Sequence, residues 1–139
     1  MLRLSGCLLI LAIGFVPACA PSGPQYSLSA EREITRLKSR TLRLMESAER
    51  PFSDSASAVG KLETDLLAAR TNASTRSRNT ASVAQWELLL GTDMLGGFLG
   101  RWRSENTLGP TFIVESVDLI GSAFDEMRDH EQRKPGAPR

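Results

Sequence analysis

Apolar and small residues recur along positions 29–131 at alternating spacings of three and four. That repeat gathers side chains on one face of an α-helix. In the first such run Ala30, Ile34, Leu37, Thr41, Leu44 and Ala48 share a face, while Arg32, Arg36, Arg40 and Arg43 fall on the other side. The pattern predicts a helix over about Ser29–Arg50. Ser29 caps its amino end, Glu31 and Glu33 suit the positive end of the dipole, and Pro51 stops it. A second helix is expected after Ser53-Asp54, running to about Ala73 on the stripe Val59, Leu62, Leu66, Ala69 and Ala73. Residues Thr71–Thr80 are polar and carry no stripe, so they read as a loop with frayed helix ends.

Asn79 or Thr80 caps a third helix through Val83, Trp86 and Leu90. Gly91-Thr92-Asp93 breaks it, and Thr92 recaps a fourth piece through Trp102. Pro110 suits a first helical position and opens a last helix to about Glu131, with Ile113, Val117, Ile120, Phe124 and Met127 as the cleanest stripe in the chain. Alternating strand patterns and internal repeats are missing. The fold expected is an all-α bundle of four to five helices with short connections.

The first twenty residues follow a different logic. Met1-Leu2-Arg3 gives a short positive start, Cys7 to Val16 is an unbroken apolar run, and Pro17-Ala18-Cys19-Ala20 supplies a helix breaker and small residues. That layout is a secretory signal peptide. A spanning helix needs roughly 20 apolar residues, and this run is about half that. Val16-Pro17-Ala18-Cys19 resembles the lipobox of bacterial lipoproteins. The resemblance covers residues 1–20 alone and implies that the Cys19 thiol receives a diacylglycerol, that the chain is cut before it, and that the new amino terminus is acylated, commonly with palmitate. Ala20, where some family members carry Asp, implies the periplasmic face of the outer membrane by the enteric sorting pattern. Ala18-Cys19-Ala20 also fits an A-x-A cleavage site, which leaves ordinary secretion open.

Four segments are therefore expected: a signal peptide over 1–18, a lipidated Cys19 with a flexible tether over 19–28, a helical domain over 29–131, and a disordered tail over 132–139. What lies beyond residue 18 is long enough for one domain with its own core. Lys and Arg number 17 against 16 Asp and Glu, and Arg3 leaves with the leader, so the signs balance and give no electrostatic case for nucleic acid. Cys7 leaves too, so no internal disulfide can form and packing alone must hold the domain.

Candidate chemistry is thin. The one histidine, His130, sits a helical turn after Glu126, with Asp125 and Asp129 on a neighbouring face, but a firm metal site needs three or four ligands. These residues read as a solvated helix end, and no metal or cofactor is expected. No Ser, Thr, Cys or Lys stands beside an evident base, so no enzyme is expected. Gly96 and Gly100 lie one turn apart in a helical stretch that also carries Phe98 and Trp102. Removing two β-carbons from one face admits another backbone, either in the core or as a groove for a partner or an acyl chain. Trp86, Phe98, Trp102, Phe112 and Phe124 are expected to meet in one cluster. Arg32, Arg36, Arg40 and Arg43 form either a solvated face or a surface for anionic lipid head groups.

The function expected from these features is a lipid-anchored accessory or scaffold of a periplasm-facing envelope assembly, held to the membrane by its amino-terminal lipid and binding a protein partner through a helix face. The alternatives are a surface-exclusion or immunity-type lipoprotein and, more remotely, a cell-wall-acting hydrolase.

Overall fold

The structure is a computed structural model that describes residues 23–139. Cys19 and residues 20–22 of the expected tether lie outside the described residues. The described chain is all-α: helices α1 (Leu28–Met45), α2 (Ala56–Thr75), α3 (Thr80–Leu90), α4 (Leu95–Glu105) and α5 (Pro110–Gln132), with one 3-10 turn at Phe52–Asp54. No described helix is long and apolar enough to cross a membrane.

Helix ends follow local hydrogen bonding more closely than periodicity. The amino cap of α1 is Ser27, not Ser29, because the Ser27 hydroxyl accepts from the Ala30 N–H at 3.2 Å. The helix stops at Met45, short of Arg50, where i→i+3 bonds such as Ala48 N–H to Met45 C=O tighten the chain towards Pro51. Helix α2 persists to Thr75 through sequence expected to be loop. There the hydroxyls of Thr71, Ser74 and Thr75 donate to the carbonyls of Leu67, Thr71 and Asn72. Side chains that usually compete with a helix here bond back onto it. Helix α4 begins at Leu95 with Met94 at its cap position, and Thr92 makes no capping bond.

Helices α1, α2, α3 and α5 form an antiparallel four-helix square in which α1 neighbours α2 and α5, and α3 lies diagonally across from α1. The sequence stripes become its core. Leu37, Val59, Leu62, Leu66, Trp86, Ile120 and Phe124 are all buried. Helices α1 and α5 approach closely at Gly121, where an added β-carbon would stand 3.4 Å from the Leu42 side chain. Helix α4 crosses one end of the square. The Trp102 indole N–H donates to the Arg50 carbonyl at 3.1 Å, and its ring meets Phe52 edge-on at 5.4 Å. Asn106, at a φ of 67°, ends α4, and its carbonyl accepts from the Phe52 N–H at 2.7 Å.

The five aromatic residues expected to cluster share one hydrophobic core, within which their ring contacts form two sets. Phe98 bridges Trp102 and Phe112 at this end, at 6.4 and 5.8 Å, whereas Trp86 and Phe124 pair at 6.2 Å elsewhere in the core.

The expected Gly96–Gly100 face is corrected. Gly100 is exposed, and an added β-carbon there meets nothing within 4 Å among the described residues. The close approach holds at Gly96 and extends to Gly97, where a β-carbon would collide with the carbonyl oxygens of Leu90 and Thr92 respectively. The chain doubles back on itself between α3 and α4, and its own backbone occupies the space. Phe98 and Trp102 are core side chains, 3 % and 0 % exposed.

Gly97→Ala is expected to lower thermal stability, since the colliding atom is backbone and overpacking costs about 1–3 kcal/mol. Gly100→Ala is expected to raise it by up to about 1 kcal/mol, the helix-propensity difference at an unhindered site. Thermal melts of the two variants by circular dichroism check both signs.

Candidate functional site

The polar chemistry concentrates at the end of the bundle opposite α4, where the starts of α1 and α3 meet the ends of α2 and α5. At its centre is Glu131, 1 % exposed, in the last turn of α5. One carboxylate oxygen accepts from the Ser27 N–H at 2.8 Å and from Arg76 Nη2 at 2.6 Å. The other accepts from Arg76 Nη1 at 3.1 Å and from Lys134 Nζ at 2.5 Å. The Lys134 ammonium is fully occupied: its remaining two bonds run to Asn79 Oδ1 at 2.7 Å and Ser82 Oγ at 2.8 Å. Arg76 Nη2 also donates to the Gln25 carbonyl at 2.6 Å.

The local chain paths make this seat. Arg78 takes a φ of 57° between α2 and α3. The neighbouring Asn79 amide donates to the Ala73 carbonyl at the end of α2, turning its oxygen towards Lys134. The residues expected to be tether and tail are both held here. The Tyr26 N–H donates to the Pro135 carbonyl at 3.0 Å, and the Tyr26 hydroxyl donates to Glu31 at 2.5 Å. Lys134, assigned by sequence to a disordered tail, is 6 % exposed.

Burial alone would raise the Glu131 carboxyl, but the hydrogen bonds from Arg76 and Lys134 outweigh it and hold the group below the usual carboxylate range. Burial lowers the Lys134 ammonium, and its bond to Glu131 offsets this in part. His130 is lowered by burial and by the charges of Lys134 and Arg133, and its Nε2 is enclosed with no hydrogen-bond partner among the described residues. The helix end expected to be solvated is therefore half-buried at His130 and buried at the neighbouring Glu131 and Lys134. Asp125 binds Lys38 at 2.6 Å, and Asp129 pairs with Arg128 at 3.0 Å. No group of three or more potential metal ligands occurs among the described residues.

Beside the seat, a cleft of about 750 Å³ opens between the first turns of α1 and the last turns of α2. Trp86 of the diagonal helix α3 and Met127 of α5 lie at its floor, each 4 % exposed. Of the four arginines read as one face, Arg32 and Arg36 line this cleft. Arg40 is withdrawn into an ion pair with Asp65, and Arg43 donates to Ser39 at 2.7 Å.

Sequence reasoning missed Arg76, Asn79, Ser82 and Lys134. The only local signal was the i,i+3 spacing of Glu131 and Lys134, which is common on exposed helices. The other partners stand about fifty residues away.

Removing one partner of a buried ion pair costs about 3–5 kcal/mol, so Glu131→Gln is expected to lower stability at pH 7 by several kcal/mol. Because folding lowers this carboxyl below its ordinary 4.5, its contribution is present above that pH and fades as pH falls further. His130, lowered from 6.5, acts in the same direction from a higher pH. Wild-type stability should therefore decline in acid in two stages, and Glu131→Gln should reduce the stage below pH 4.5, to which the lowered Glu31 and Asp65 carboxyls also contribute. Urea melts across pH 3–8 measure both.

No protein-family model, curated protein or solved structure matches this chain.

Proposed function

We propose that the protein is a lipid-anchored, non-catalytic accessory or scaffold of the bacterial envelope, attached through Cys19 and facing the periplasm, with the outer membrane as its site. The observation that carries this reading is the leader of residues 1–20, a positive start and a short apolar run closed by Val16-Pro17-Ala18-Cys19. The way the chain enters the bundle fits it. Ser27 is bound to Glu131 and Tyr26 to Pro135, so a segment of few residues separates Cys19 from a fixed point at one end of the domain.

An anchor there would hold the domain end-on, with its cleft end nearest the lipid surface and α4 furthest away. Arg32 and Arg36 would then be the residues able to meet anionic head groups, at roughly 1 kcal/mol for each basic side chain near the surface. A protein partner would meet the sides or the far end of the bundle. Durable attachment requires more than one acyl chain, since a single chain binds membrane only marginally.

Cys19→Ser is expected to abolish incorporation of radiolabelled palmitate and to leave the helical content unchanged. Wild-type protein should take up the label and partition into detergent. Wild-type protein that takes up no palmitate and begins at Pro21 would overturn the anchor.

A further inference from the structure

The cleft has a physical origin in the stripes that flank it. Along α2 the buried positions run Val59, Leu62, Leu66 and then Ala69 and Ala73, and α1 opens with Ala30. Where Leu37 and Leu62 fill the interior the helices close on one another. Where alanines stand at this end, the space between α1 and α2 stays open. Its volume of about 750 Å³ falls within the range of roughly 300–1,000 Å³ usual for small-molecule sites.

The lining divides by chemistry. Ile34, Ala69, Ala73, Trp86 and Met127 make an apolar floor, and Arg32, Glu33 and Arg36 stand along the α1 side. Arg32 and Arg36 are exposed, lie four residues apart on one helix face, and have no ion pair among the described residues. The nearby Asp65 is taken by Arg40, and Glu131 at the inner end is saturated by its four donors. With Glu33 counted, this side presents two guanidinium groups and one carboxylate above an apolar slot. That complement suits a ligand with a flexible apolar body and a single acidic end, because guanidinium groups bind carboxylate and phosphate in paired hydrogen bonds.

We propose that this cleft seats the acyl chain of a single-chain anionic lipid, with Arg32 and Arg36 holding its acidic head and the chain lying over Ala73, Met127 and Trp86. The site does not depend on whether the protein itself carries an anchor. An anchored protein would present it to lipid, and an unanchored one would carry its ligand through the periplasm.

Trp86 supplies the readout, because bromine on an acyl chain quenches an indole that it touches. Trp102, fully buried at the other end of the bundle, is out of reach and keeps its emission. The protein as isolated from cells is titrated with dibromostearate below its micelle concentration, in zwitterionic nanodiscs if acylated and in plain buffer if not. Saturable, partial quenching is expected and should vanish in Trp86→Phe. Arg32→Gln combined with Arg36→Gln should weaken binding about tenfold or more, the loss of a charge-assisted bond. The corresponding brominated alcohol should bind the wild type equally weakly. Ala73→Leu, which fills the slot, should abolish quenching while a thermal melt shows the fold retained. If that variant does not fold, the arginine pair and the alcohol decide the question. Absence of saturable quenching in the wild type overturns the proposal, as does quenching unaffected by the arginine substitutions.

Discussion

The fold depends on how the carboxylate of Glu131 is neutralised. A carboxylate with 1 % exposure carries a desolvation penalty of several kcal/mol, and only close charges and complete hydrogen bonding offset it. The chain supplies Lys134 from the same helix end, Arg76 from the end of α2, and the Ser27 N–H from the entrance to α1. Asn79 and Ser82 at the start of α3 complete the ammonium. One buried carboxylate thus joins four helices and both ends of the described chain. Side-chain volume cannot do this work here, because Ala30, Ala69 and Ala73 leave the interior open at this end.

The two ends of the bundle are closed by different means. At the α4 end, Phe52, Trp102, Phe98 and Phe112 follow one another in contact, edge-on except for the stacked pair Phe98–Phe112, and Gly96 and Gly97 let the chain fold back on itself. At the other end hydrogen bonds and ion pairs replace volume, and an apolar cleft remains beside them. In the proposed reading that open end is the one nearest the membrane. The same geometry explains why the four arginines of α1 are not equivalent. Arg40 faces Asp65 of α2 where the helices pack closely, whereas Arg32 and Arg36 stand where they diverge.

The all-α class and the core faces were legible in the sequence because burial alone sets the stripe. Val59, Leu62, Leu66, Ala69 and Ala73 are all buried, as are Ile113, Ile120, Phe124 and Met127. Helix ends were less legible. Thr71, Ser74 and Thr75 look like loop residues until their hydroxyls are seen to bond back to α2. The expected close approach holds at Gly96 and fails at Gly100, because the crowding at Gly96 and Gly97 comes from a reversal that no helical spacing encodes. The ionic seat was invisible, since Lys134 beside Pro135 and Gly136 has the composition of a loose terminus. Its partner Asn79 is 55 positions away.

The central claim is that Glu131 ties the entrance of the chain to the core. Amide hydrogen exchange at Tyr26 and Ser27 tests it most directly, because these N–H groups lie ahead of the first helix and would otherwise exchange as an open terminus does. In the wild type both amides should be strongly protected, and Glu131→Gln should reduce that protection far more than it reduces protection at Leu62 or Phe124. Rapid exchange at Tyr26 and Ser27 in the wild type, with the core protected, would contradict the claim.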